Sequence, residues 1–536
     1  MSAVDDRHKK LALLAAIMGS FVAGLDATAV NVALPAIRVD LGGGLAGQQW
    51  VSNAYLLTLG SLILVGGSLG DIFGERRVFS LGVAGFGLVS VLCAAAPSIG
   101  LLVAGRALQG AFGALLTPSA LALIISAFPA AERGAAIGSW TAWSGIATVI
   151  GPLVGGYLVD AVSWRLIFAI NVPFVVLTLG LIAVAVPARQ PGLARARLDW
   201  PGAVLTFFGL AGPVLALIRQ PVVGWGSYEV WGAGLAGMVL LAVFLVHEQR
   251  AAAPMLPLGL FKRRNFAIGN LQTCAMYGGL SATFFFLVLF LQQVAGYDAL
   301  EAGFALMPAT LVMFALSKRM GRLADRLGPR LFMGAGPLTA AAGLALMLRV
   351  DAGLDYTTDL LPALLVFSLG LSLTVAPLTA TVLADADESN AGIASGINNA
   401  IARVAGLLAV AAIGAVVAAQ FSSALDSRLA GTALSPAGLA AVDRARTQTL
   451  GRVDPSQAGA EVASAVEAAS SHAFHVGIGI SATLVALGGV LGLAGIRNPR
   501  RAVRCEDCPG GQFAGQPIDS AREHPPFAAL ALPDGN

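Results

Sequence analysis

Long apolar runs separated by short polar segments dominate this chain. Runs of spanning length begin near Leu11, Trp50, Val78, Gly100, Ala136 and Arg165, then near Gly202 and Val230. Six more begin near Ala267, Gly303, Leu331, Leu360, Ile393 and Val476. A helix needs about 20 predominantly apolar residues to cross a bilayer, so the pattern predicts an all-α membrane protein with fourteen transmembrane helices. The run after Gly303 is the shortest, because Lys318 and Arg319 close it after about fifteen residues.

A polar residue inside such a run is more telling than the run itself. Asp26 lies well within the first, which extends from Leu11 to Leu34. A carboxylate at that depth is costly, so it must face protein or water, and a functional role is the default expectation. Arg106 lies in the fourth run, six residues in from Gly100, while Asp26 stands nine residues before Pro35. At ~1.5 Å per residue both fall roughly 10–14 Å below the outer surface, a match that permits a pair. The arginine would favour the ionised carboxylate and burial the neutral one, and a group balanced between the two can load and unload a proton. The plainer readings are an aspartate that only hydrogen-bonds a neighbouring helix and an arginine that braces backbone.

The positions of Lys and Arg orient the runs. With fourteen spans, 23 of these residues fall on the side holding both termini and 8 on the other, with Arg106 and Arg403 inside spans. Cytoplasmic loops carry the excess of positive charge, so both termini are expected in the cytoplasm. The overall balance of +3 adds nothing further. With 57% hydrophobic and 12% charged residues over 536 positions, and a mean hydropathy of +0.78, the chain falls far below the ~25% charged residues of a soluble domain. The basic start Arg7-His8-Lys9-Lys10 runs into a full span with no small-residue cleavage site before Asp26, unlike a signal peptide.

An internal repeat sets the domain organisation. Gly67-Ser68-Leu69-Gly70-Asp71-Ile72-Phe73-Gly74-Glu75-Arg76-Arg77 and Gly321-Arg322-Leu323-Ala324-Asp325-Arg326-Leu327-Gly328-Pro329-Arg330 share the frame G-x-L-x-D-x-x-G and end in Arg, each in an expected short cytoplasmic loop. Repeated halves mark secondary transporters. The simplest division has a cytoplasmic N-terminus over 1–10 and a six-helix half over 11–187. A linker with two inserted helices (about 202–219 and 229–247) occupies 188–265, and a second six-helix half occupies 266–496. That half includes an ordered or partly helical external loop over 420–474, and a cytoplasmic tail over 497–536 is expected to be disordered. Cys505 and Cys508 in the tail lack the second pair that a zinc site needs. No metal, nucleotide or nucleophile constellation is legible, which argues against an enzyme, and nothing points to nucleic acid.

The fifth run carries Gly145 and then Gly151-Pro152-Leu153-Val154-Gly155-Gly156. Proline bends a helix and small residues allow close packing. These motifs together resemble the major facilitator superfamily, specifically its fourteen-span drug:proton antiporters. Leu25-Asp26 through Pro35 resembles the first-helix motif, Gly67 to Arg77 the cytoplasmic loop motif, and Arg106-Ala107-Leu108-Gln109-Gly110 the fourth-helix motif tied to proton coupling. Gly151-Pro152 to Gly156 resembles the exporter motif of the fifth helix, and Trp164 to Pro173 and Ala302 to Pro308 also fit. Ile72 and Glu75 depart from the loop motif, which often carries basic residues there.

The resemblance implies the major facilitator fold and a proton-coupled antiporter of the cytoplasmic (inner) membrane. It would export amphipathic drugs or natural products by alternating access as a monomer, driven by the proton motive force with no cofactor. A proton-coupled importer of a small metabolite and a non-transporting membrane sensor are the alternatives. Proton coupling is expected at Asp26 and Arg106, and Asn31, Asn53, Gln109, Gln272, Phe284 and Arg403 are candidates for the cargo cavity. Relatives that export dications place extra carboxylates in the tenth and thirteenth spans. Residues 303–317 and 393–418 hold none, so the cargo is expected to be neutral, monocationic or zwitterionic rather than an obligate dication.

Overall fold

A computed structural model describes residues 6–185, 199–251, 254–384 and 391–498. The chain divides into a unit Met1–Arg497 and a second unit Asn498–Asn536. Of the second only Asn498 falls among the described residues, so the expected tail with Cys505 and Cys508 lies outside them, as do residues 186–198.

The first unit is all helix. Its first half comprises α1 (Asp6–Leu41), α2 (Gly44–Phe73), α3 (Glu75–Ala94), α4 (Ile99–Ala127), α5 (Ala130–Ala161), α6 (Leu166–Ala169) and α7 (Asn171–Ala185). Then come α8 (Trp200–Val223) and α9 (Tyr228–Arg250). The remainder comprises α10 (Arg264–Gln293), α11 (Ala299–Leu327), α12 (Pro329–Leu346), α13 (Leu361–Ala384), α14 (Ala391–Leu429), α15 (Pro436–Gln448), α16 (Pro455–Ala458) and α17 (Ala460–Gly495). Among the described residues, 13 helices are long and apolar enough to cross a membrane, and the apolar segment Ile150–Ala161 belongs to α5.

The helices outrun the apolar runs that signal them. Proline costs one backbone hydrogen bond but need not end a helix that its neighbours brace, and α1 continues through Pro35 to Leu41. Likewise α11 continues past Lys318 to Leu327. The expected loop 420–474 is largely helix too: α14 reaches Leu429, α17 starts at Ala460, and α15 and α16 lie between. Arg446 pairs there with Asp426 at 2.5 Å and Arg452 with Glu467 at 3.4 Å.

The repeated motifs correct their loop assignment in the same way. Both are helical except for one residue each, Gly74 and Gly328, with φ of 88° and 91°. Each ends one helix, its N–H bonded to Gly70 O or Ala324 O, and opens the next. A side chain resists that left-handed backbone, so glycine makes a one-residue corner possible. Arg76 and Arg77 start α3, and Arg330 Nε donates to Leu493 O of α17 at 2.7 Å. The side chains of Asp71 and Asp325 and the surroundings of Gly145 lie outside the described residues.

Packing sorts the helices into two groups. In one, α1 packs on α4, α5 and α7, α2 on α4, and α3 on α4 and α7. In the other, α10 packs on α13, α14 and α17, and α12 on α13 and α17, with α11 on α13. The groups meet through α5 with α11, α2 with α14, and α1 with α10. α8 and α9 pack on each other, and α8 lies along the α2–α14 seam, where Leu210, Val214 and Ile218 meet Leu57, Leu407 and Ala411. Asp199 caps α8 through Gly202 N at 2.9 Å and meets His247 of α9 at 2.7 Å. Burial pushes the Asp199 carboxyl up, but these bonds outweigh it and hold the group below the usual carboxylate range.

Candidate functional site

A carboxylate buried in a helix bundle requires partners for both oxygens. Asp26 is fully buried. Arg106 Nη1 donates to its Oδ2 at 2.5 Å, and Gln109 Nε2 and Asn171 Nδ2 each donate to its Oδ1 at 3.0 Å. Ser90 Oγ accepts from Gln109 at 2.9 Å and from Asn171 at 3.3 Å. Arg106 is 1% exposed; its Nη1 also reaches Gln109 Oε1 at 2.5 Å, and its Nε reaches Val51 O at 3.1 Å. Its guanidinium lies 4.4 Å from the centre of the Tyr55 ring, a cation–π contact that steadies the plane. Five helices therefore converge on one carboxylate: α1, α2, α3, α4 and α7.

Sequence positions explain why these groups meet. Arg106 and Gln109 are three residues apart on α4 and so share a face. Gly110 lies against the Tyr55 carbonyl of α2, where a Cβ would collide, and this close approach lets Arg106 reach Val51 O. Asp26 and Arg106 meet at the matched depth that their positions predict, although both helix ends lie further out than the apolar runs suggest. Asn171, Ser90 and Tyr55 were not anticipated as partners. The available signal for Asn171 was a lone amide in the apolar run from Leu166 to Ala185.

The six cavity candidates part company. Arg403 of α14 lines a cavity of about 290 Å³ with Tyr277, Ser281, Asn398, Asn399 and, from the other helix group, Leu56. Gln109 belongs to the carboxylate cluster instead. Gln272 ties α10 to α12 through Met333 O at 2.5 Å, and Phe284 packs edge-on against Phe367. Asn53 is fully buried with neither amide atom hydrogen-bonded, and Asn31 is half-buried on α1.

The fifth-helix glycines lie at two interfaces. Gly151 and Gly155 face α1, the latter with a Cβ position 2.9 Å from Ala29 Cβ. Gly156 faces α11, where a Cβ would fall 2.6 Å from Leu300 Cα, and Gly303 of α11 would meet Pro152 O at 2.7 Å. One turn on, Asp160 accepts from Ala299 N at 3.2 Å and Leu300 N at 2.7 Å, capping α11 from the other helix group. On the same face Gln292 Nε2 donates to Val32 O at 2.9 Å. The two groups are therefore closed together at the face opposite the N-terminus.

Comparisons with known proteins agree with this architecture. Residues 16–410 match the model of the Major Facilitator Superfamily. The chain is 34% identical to the tetracenomycin C resistance and export protein of Streptomyces glaucescens over 420 residues, 78% of each chain. It is 36% identical to the puromycin resistance protein of Streptomyces alboniger, over 77% of this chain and 82% of that one. A probable actinorhodin transporter of Streptomyces coelicolor is 32% identical over 82% of this chain and 78% of its own. Among solved structures, a bacterial homologue of the human lysosomal transporter Spinster, inward-facing and unoccupied, superposes with a TM-score of 0.61 at 16% identity, covering 91% of this chain and 98% of that one.

Proposed function

The chain belongs to the Major Facilitator Superfamily, and from that premise we propose that it exports amphipathic drug-like or natural-product compounds in exchange for protons. It is a transporter and a multi-pass cell-membrane protein; the resistance and export functions in its relatives' names support outward movement here. In our reading it has fourteen spans, with α5 among them, and both termini in the cytoplasm. It works as a monomer of two six-helix halves flanking α8 and α9, on the proton motive force alone. The closed face is then the outer one.

The observation that carries the proton-coupling reading is the full burial of Asp26 among three donors. Arg106, Gln109 and Asn171 each direct an N–H at one of its two oxygens. Protonation removes the charge that holds Arg106 and adds an O–H that needs an acceptor. Asn171 Oδ1 is buried without a partner, and rotation of its amide turns that oxygen towards Asp26. Arg106, relieved of its counter-charge, keeps Val51 O and the Tyr55 ring. Proton arrival therefore rearranges contacts among five helices of one half, which is a route to shifting that half against the other.

The test is pH-gradient-driven efflux in proteoliposomes. Asp26→Asn is expected to reduce uphill export to background while the protein remains folded and inserted. Uphill, gradient-dependent export by the Asn variant would assign the proton to another group.

A further inference from the structure

Three charged side chains stand deep in the spans, and the structure treats them unequally. Asp26 and Arg106 neutralise each other inside a buried cluster. Arg403 makes neither an ion pair nor a hydrogen bond among the described residues. It is exposed to the cavity that it lines, and none of that cavity's described lining residues is acidic. It sits twelve residues into α14 from Ala391, ~18 Å along the helix and near mid-membrane. Its stem packs at the seam of the two halves, with a Cβ on Gly60 of α2 falling 3.4 Å from Arg403 Cβ. An unpaired guanidinium at such a depth is expensive, and the usual remedy is a counter-charge.

We infer that Arg403 is the anchor for an acidic group on the cargo, so that the favoured compounds are amphipathic anions or zwitterions carrying a carboxylate or an ionised phenol. Arginine fits this role because its planar fork holds a carboxylate through two parallel bonds. The hydroxyls and amides of Ser281, Ser395 and Asn399 surround it, and Tyr277 and Leu56 offer apolar surface to the body of the compound. A few polar groups in an otherwise apolar pocket fix orientation in this way. The inference rests on the exporter reading and narrows it. It excludes the monocations that the sequence had left open, because a positive cargo would be placed against a positive wall with no acid among its described lining residues to offset it.

The experiment separates the anchor from export. Anthracene-2-carboxylate and anthracene-2-carboxamide differ in charge but hardly in shape. Their binding to the full-length purified protein is measured by tryptophan quenching, and their efflux in proteoliposomes under a pH gradient. The wild type is expected to bind the acid at least about tenfold more tightly than the amide, the usual scale for a hydrogen bond to a charged group. Arg403→Gln should bring the acid-to-amide ratio close to one, and Arg403→Lys should restore part of it. A brace with no cargo contact would weaken both compounds alike and leave the ratio untouched. Equal affinities in the wild type, or a ratio that survives Arg403→Gln, would overturn the assignment. Charge-selective binding without uphill efflux of either compound would uphold the anchor and overturn the exporter reading.

Discussion

At the scale of single residues, the Asp26 cluster shows why an arginine there is not interchangeable with another cation. Arg106 places one nitrogen on Asp26 and Gln109, another on Val51 O, and its plane against Tyr55. Lysine has one nitrogen on a flexible stem and can itself lose its proton when buried. Arg106→Lys is therefore expected to lower pH-gradient-driven export by at least about tenfold, the effect of losing one charged hydrogen bond. Wild-type rates with an unchanged pH profile would remove Arg106 from the mechanism. Asp26 and Arg106 were legible in the sequence because a charge inside a twenty-residue apolar run stands out. Asn171 and Ser90 were not, because a neutral polar residue in a membrane helix more often bonds its own backbone, as Ser61 does with Leu57 O.

At the scale of elements, α5 is a helix with two packed faces whose glycines decide how close its neighbours come. Gly156→Ala inserts a methyl group where Leu300 Cα already stands, and overpacking of this kind costs typically 1–3 kcal/mol. The variant should melt several degrees lower in detergent and export several-fold more slowly; unchanged melting and flux would show that the α5–α11 contact gives way freely. α8 and α9 behave differently. Trp231, Leu235, Met238 and Val239 of α9 are all more than half exposed, and no residue of α8 or α9 lines the central cavity. Cysteines at 235, 238 and 239 should react with lipid-phase maleimides and gain no protection from cargo. Protection at two of them would bring α9 into the transport path.

At the scale of the whole molecule, alternating access requires the closed face to open. Asp160 and the first turn of α11, with Gly156 against Ala299 and Leu300, hold that face shut. A disulfide between cysteines placed at 156 and 299 should abolish export, and reduction should bring back the slower export expected of a side chain at position 156. Full activity in the oxidised protein would show that this contact never parts. The sequence by itself determined the all-helical membrane architecture, the repeat, and the two deep charges that pair, because each follows from local hydropathy, from recurrence of a motif or from the high cost of a charge in lipid. It placed helix ends several residues short, since continuing a helix into a polar stretch depends on neighbours that brace it rather than on hydropathy. It also grouped Gln109, Gln272 and Arg403 as equals. Only the tertiary structure separated a partner of the buried carboxylate, an interhelical tie and a cation unpartnered among the described residues, because that distinction depends on what residues distant in sequence bring to each side chain.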